Sequence, residues 1–137
     1  MKSSKITVKT KSKSYPIYFG NNILNITGSL IKKRLPGVKK ICIISDSKLP
    51  QLSLKKIIKS LKKYKLKVYK LSTSEKTKSL RVANKIIESL LKDNFNRSDC
   101  IIAFGGGILG DLSAFISSLT KRGVKFVNIP TTLLAQE

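Results

Sequence analysis

An α/β fold, with a largely parallel sheet flanked by helices and opened by an antiparallel strand pair, is what this sequence predicts. Three observations predict it. Beyond residue 37, apolar runs of strand length alternate with segments of helical period. Two of those runs, within ICIIS and DCIIAF, hold four or five consecutive apolar residues, as strands covered on both faces do. A length of 137 residues with 41% hydrophobic content is that of one ordinary globular domain, long enough to bury a core.

The elements follow in order. KITVKTKSKSYPIYFG alternates at Ile6/Val8 and Tyr15/Ile17/Phe19 around a polar Lys/Ser turn, which predicts the antiparallel pair. From Asn21-Asn22, Ile23, Ile26, Leu30 and Ile31 fall at helical spacing before Pro36-Gly37, a short helix that Gly28 should weaken. VKKICIISD is a buried strand ending on Asp46. SLKKIIKSLKKYK sets Leu54, Ile57, Ile58 and Leu61 on one stripe with lysines opposite, an amphipathic helix. LKVYKL is a strand, STSEKTKSL a polar loop, and RVANKIIESLLKDNF a helix carrying Val82, Ala83, Ile86, Ile87, Leu90 and Leu91 at helical period. After DCIIAF and the glycines, LSAFISSLTKRG is a helix expected to turn Leu112, Phe115, Ile116 and Leu119 inward, and VKFVNIP is the last strand, stopped by Pro130.

Composition excludes several classes. No apolar run approaches the roughly 20 residues of a bilayer span, and MKSSKITVKTKSK lacks the apolar block of a signal peptide, so the cytoplasm is the expected compartment. Cys42 and Cys100 sit in or against apolar strands and read as reduced core residues. The charge, 28 Lys+Arg against 7 Asp+Glu, would suit an anionic partner. It is mostly lysine strewn along the whole chain, however, without the arginines or interleaved aromatics that read or stack on bases, which makes nucleic acid a poor candidate partner.

In open α/β sheets ligands bind beyond the carboxyl ends of the strands. Four loops lie there: the one after Asp46, STSEKTKS, GGGILGD and PTTLLAQE. A strand, a turn of bare backbone and a helix start present N–H groups and a positive dipole end to a pyrophosphate. Gly105 to Gly110 satisfy G-x-G-x-x-G literally, but no acid stands about 20 residues later to take a ribose. A tight turn without a ligand would also explain the glycines. Three of the seven acids, Asp46, Glu75 and Asp111, fall in these loops. Each has a plain alternative: Asp46 as a cap for Ser47 onward, Glu75 paired with Lys78, and Asp111 as a favourable first-turn charge. Thr131 and Thr132 could serve a phosphate, a ribose or a helix cap.

Taken together, GGGILGDLSAF (105–115), KRGVKFVNIPTTLLAQ (121–136), SEKTKS (74–79) and ICIISD resemble the 3-dehydroquinate synthases in order and approximate spacing. The resemblance covers essentially the whole chain but only the N-terminal portion of that family. It implies a Rossmann-like NAD-binding domain over residues 1–137, with the family's all-helical C-terminal domain absent. Asp46 would hold the adenosine ribose, and Glu75 and Lys78 would reach the cofactor. Gly106, Gly107 and Ile108 would lie along the pyrophosphate, Asp111 near the nicotinamide ribose, and Thr131 and Thr132 against the adenine half. Arg122 matches an arginine that reaches the phosphate-bearing substrate of a neighbouring subunit in a homodimer.

The implied reaction converts 3-deoxy-arabino-heptulosonate 7-phosphate to 3-dehydroquinate and phosphate, a step of aromatic amino acid biosynthesis, with NAD reduced and reoxidised within one turnover. The family's divalent metal, zinc or cobalt, is held by one glutamate and two histidines of the helical domain. This sequence contains no histidine, so that ligand set cannot be complete here and turnover by the chain alone is not expected. Two other readings remain open: a fragment of a related sugar-phosphate cyclase or iron-type alcohol dehydrogenase, and a basic anion-binding or nucleic-acid-binding module whose glycines are structural.

Overall fold

A computed structural model describes residues 3–9, 14–20, 23–72 and 80–131. Strands β1 (Ser3–Lys9) and β2 (Ser14–Gly20) form an antiparallel ribbon, followed by a 3-10 turn, Ile23–Ile26, that runs into helix α1 (Thr27–Arg34). Then come β3 (Lys40–Asp46), α2 (Gln51–Ser60), β4 (Lys65–Leu71), α3 (Leu80–Lys92), β5 (Cys100–Gly105), α4 (Gly107–Leu119), a second 3-10 turn (Thr120–Arg122) and β6 (Lys125–Pro130). The last four strands make one parallel sheet in the order β4-β3-β5-β6.

That order explains the sequence. The two continuously apolar strands, β3 and β5, lie side by side at the centre, with Ile41 opposite Cys100 and Ile43 opposite Ile102. The chain leaves β3 toward β4, then crosses back over β3 to β5 and on to β6. Right-handed crossovers running in opposite directions put their helices on opposite faces. Accordingly, α1 and α2 cover one face, where Ile31, Leu54, Ile57 and Leu61 meet Ile41, Ile43 and Ile102. Helices α3 and α4 cover the other, where Ala83, Ile86, Leu90, Leu109, Leu112 and Ile116 meet Ile44 and Ile101. Each fully buried isoleucine or leucine contributes about 1.5–3 kcal/mol by leaving water.

Three local expectations change. Gly28 does not merely weaken its helix: it is buried where α1 crosses the end of α2, and a Cβ there would lie 1.9 Å from the Ser60 carbonyl oxygen. The apolar side of this segment is Leu24, Thr27, Gly28 and Ile31, with Leu30 only half-buried. Helix α4 begins at Gly107, five residues before the predicted start, and buries Leu109, Leu112, Ser113, Ile116 and Ser117. Phe115 and Leu119 face solvent, 41% and 52% exposed. The buried face of α4 carries hydroxyls that bond inside the fold: Ser113 donates to the Leu109 carbonyl (2.8 Å) and Ser117 to that of Val124 (3.0 Å). These satisfied hydroxyls let serine take an apolar position.

Cys42 and Cys100 are buried free thiols on the central strands. Burial pushes both thiols up to about 12. Because the unfolded chain ionises first, it binds fewer protons than the native chain above the ordinary thiol value. Stability present below that value is therefore lost as pH rises toward 12, by roughly 1 kcal/mol per thiol for each pH unit. Denaturant melts across the alkaline range should show this decline, and a thiol reagent near neutral pH should find neither cysteine until the chain is unfolded. Rapid labelling of the native chain would contradict the burial.

Candidate functional site

The direction of the chain reverses between β3 and β5, so the loops leaving their carboxyl ends diverge to opposite faces, the place where open α/β sheets form a ligand crevice. Asp46 stands on one side of it and Gly105-Gly106-Gly107 on the other. The two sides touch: a Cβ added to Gly105 would lie 3.2 Å from that of Asp46 and 2.5 Å from the Leu109 side chain. Gly105 is thus glycine for packing. Its carbonyl accepts the Thr131 N–H at 3.0 Å, which brings the end of β6 into the same rim. The end of β4 joins through the Ser47 N–H, bonded to the Leu71 carbonyl at 2.8 Å.

Gly107 is glycine for neither reason that usually requires one. Its φ is not positive, and a Cβ built on it meets nothing within 4 Å among the described residues. It opens α4 behind Gly106, an extended residue with no side-chain cap, and no acid occupies the first turn. The first-turn N–H groups of an α-helix have no intrahelical partner, and here no side chain among the described residues caps them. Bare backbone, open space and the positive end of a 13-residue helix coincide at this point. An anionic group of a dinucleotide fits such a cradle.

The Asp46 carboxylate is partly committed. One oxygen accepts the Lys48 N–H at 2.9 Å, a turn-stabilising bond, while the other has no partner among the described residues. The capping alternative and an acceptor role are therefore compatible, one oxygen for each. Asp111 lies in the second turn of α4, exposed, so it is not the first-turn charge considered from the sequence. It follows Gly107 by four residues and shares its side of the helix, about 6 Å farther along the axis.

The structure thus gathers Asp46, Gly106, Gly107, Ile108, Asp111 and Thr131 at one end of the sheet. Arg122 stands apart from them, in the 3-10 turn beyond the far end of α4, about 18 Å away along the helix. It and Lys121 both hold positive φ, 62° and 49°. Glu75, Lys78 and Thr132 lie outside the described residues. Sequence reasoning read Gly105 only as the first glycine of the G-x-G-x-x-G match and did not anticipate its close approach to Asp46. The signal was present as the first of three consecutive glycines. Among the described residues no group of three or more potential metal ligands converges, and no helix is long and apolar enough to cross a membrane.

Known proteins resemble this chain in sequence and in fold. The family described as 3-dehydroquinate synthase N-terminal matches residues 68–137. A 3-dehydroquinate synthase of Pelagibacter ubique is 44% identical over 132 residues, which are 96% of this chain and 36% of that protein. One from Vesicomyosocius okutanii is 41% identical over 124 residues, 90% of this chain and 34% of the relative. The chain therefore spans about a third of the length of the curated relatives it matches. Among solved structures, a 2-deoxy-scyllo-inosose synthase complexed with carbaglucose-6-phosphate, NAD+ and Co2+ superposes with a TM-score of 0.85 at 22% identity. The match covers 96% of this chain and 36% of that one, and it is a likeness of fold. With half of its residues in the family's N-terminal region and its fold in place, the chain belongs to the 3-dehydroquinate synthase family.

Proposed function

We propose that these residues form the NAD-binding portion of a 3-dehydroquinate synthase, and that the crevice between β3 and β5 receives the dinucleotide. The observation that carries this reading is Gly107, which among the described residues has no backbone or packing requirement to be glycine and opens a helix that no described side chain caps, on the crevice rim. In this reading the N–H groups of Gly106, Gly107 and Ile108 line the pyrophosphate. The uncommitted oxygen of Asp46 accepts from an adenosine ribose hydroxyl, and Asp111 faces the nicotinamide ribose. Thr131 and Thr132 border the adenine half, while Glu75 and Lys78 approach from the loop after β4. NAD, when bound, supplies a reversible hydride acceptor, so converting the heptulosonate phosphate to 3-dehydroquinate and phosphate has no net redox change. The protein's part is to bind, orient and shield.

The position of Arg122 supports a role in trans. It lies about 18 Å down α4 from its own crevice, where a homodimer partner's sugar phosphate could meet it. The metal ligands proposed for the enzyme include two histidines, and the sequence has none, so they come from outside these 137 residues. The cytoplasm is the proposed compartment.

Calorimetric titration of the 137-residue chain with NAD tests the binding reading. The expected result is saturable one-to-one binding, weakened about 10- to 100-fold in Asp46→Ala, the loss expected for one hydrogen bond to a charged acceptor. Binding that is absent, or indifferent to Asp46→Ala, would overturn it. Turnover of the heptulosonate phosphate by this chain alone would overturn the assignment of the metal ligands elsewhere.

A further inference from the structure

Helices α3 and α4 turn an apolar surface to the outside. Four of the seven exposed large apolar side chains among the described residues, Leu80, Leu91, Phe115 and Leu119, belong to these two helices. Leu80, Ile87 and Leu91 on α3 repeat at the same spacing as Ile108, Phe115 and Leu119 on α4. The helices pack side by side and run in the same direction, because each carries the chain back to the start of a parallel strand. Solvent-facing apolar residues grouped in this way mark an interaction surface.

Three observations point to a second copy of this chain as its occupant. First, the outer face of α2 holds the exposed Lys55, Lys56 and Lys59, whereas the outward stripe of α4, Ile108, Asp111, Phe115 and Ser118, holds no lysine. Two copies of a chain with net charge +21 repel over most of their surface, and here they can approach. Second, the stripe complements itself when reversed. Asp111 lies near its start and Arg122 just past its end, and neither takes part in the one ion pair among the described residues, Lys67 with Asp93. Phe115 stands midway, seven residues from Ile108 and seven from Arg122, about 10 Å each way along the axis. A two-fold axis at Phe115 therefore sets the two α4 helices antiparallel and Phe115 against its own copy. It also brings Arg122 of each copy beside Ile108 of the other, one turn from Asp111. Third, Arg122 is held out firmly. The Gly123 N–H bonds the Thr120 carbonyl at 2.9 Å, the buried Thr120 hydroxyl bonds that of Ile116 at 2.8 Å, and the Val124 N–H bonds that of Ser117 at 3.0 Å.

We propose that two copies of this chain pair through the outer face of α4, antiparallel about a two-fold axis at Phe115, with the α3 stripe flanking the contact. The start of α4 is the crevice rim, so each copy sets its Arg122 at the mouth of the other's crevice. Arg122 and its own crevice lie at opposite ends of one helix, and the pairing turns that separation into a contact in trans. What Arg122 does there rests on the function proposed above; the pairing itself does not.

Sedimentation equilibrium of the 137-residue chain tests this, and a reversible dimer is expected. Phe115→Asp/Leu119→Asp should weaken it by at least about 30-fold, the loss expected when central apolar anchors are removed from an interface. Leu52→Asp, at an exposed leucine of α2, should change it less than about twofold. Cross-linking reads the register. Under mild oxidation Phe115→Cys should form a disulfide with its own copy, and mixed Ile108→Cys and Arg122→Cys chains should link to each other more than to themselves. The buried Cys42 and Cys100 should stay silent. A monomer at every concentration, a dimer indifferent to Phe115→Asp/Leu119→Asp, or cross-linking no greater at Phe115→Cys than at Leu52→Cys would each overturn the proposal. Open-ended aggregation in place of a dimer would also overturn it and give the surface to a segment of a longer protein. NAD binding is titrated separately, so failure of the crevice reading is distinguishable from failure of the pairing.

Discussion

Gly107→Asp is expected to abolish NAD binding while leaving the fold as stable as before or slightly more so. The two effects have separate causes. For stability, a Cβ at this position meets nothing within 4 Å among the described residues. Replacing glycine at a helix start removes unfolded-state entropy, and a carboxylate beside the first-turn N–H groups is favoured by the helix dipole, each by about 0.5–1 kcal/mol. For binding, the same carboxylate occupies the space left to a phosphate and sets a negative charge against it. Loss of several backbone contacts to an anion plus like-charge repulsion should lower NAD affinity by at least about 100-fold, or 3 kcal/mol. Calorimetry for the ligand and thermal melting for the fold give the two readings. Unchanged NAD affinity would remove Gly107 from the phosphate site; a large loss of stability would mean that the glycine serves the fold after all.

Gly28→Ala should have the opposite profile, a large loss of stability with no direct effect on the crevice. The added Cβ would lie 1.9 Å from the Ser60 carbonyl oxygen and 2.8 Å from its carbon, both backbone atoms. No side-chain rotation relieves that clash, so α1 must back away from α2. In doing so it loses the bond from the Gly28 N–H to the Ser60 hydroxyl, now 3.2 Å, and loosens Ile31 over the sheet. Overpacking of this kind costs about 1–3 kcal/mol, and the disrupted interface puts the expected value at the upper end. The melting temperature should fall by roughly 6–12 °C, at about 2–4 °C for each kcal/mol. A melting temperature within a degree or so of the parent's would show that the two helices are not held in this contact.

Where the sequence could be read and where it could not follows from what the residues themselves encode. The central strands were legible because burial on both faces leaves a continuous apolar run, as in ICIIS and CIIAF. The α3 stripe was legible because its buried positions, Ala83, Ile86 and Leu90, are all apolar and at helical spacing. The inner face of α4 was not, because apolar residues lie on both sides of that helix. The choice between Phe115/Leu119 and Leu109/Ser113/Ser117 turned on serine hydroxyls that find carbonyl partners only in the folded chain. Gly28 misled for a related reason: helix propensity is local, whereas its value here is a close approach to a helix more than 20 residues away. For the site, residue chemistry placed Asp46 and the glycines in separate loops. The strand order alone makes them neighbours, since that order decides which strand ends adjoin.

The two sides of the crevice are the termini of the innermost strand pair. In native-state hydrogen exchange, amides of β3 and β5, hydrogen-bonded on both edges and buried on both faces, should exchange only through global opening, while those of the rim strands β4 and β6 exchange earlier. Protection against exchange would then be greatest in the strands that carry Asp46 and Gly105. A ligand clasped between them is held by the part of the molecule that opens last, and its dissociation need not wait for any local unfolding.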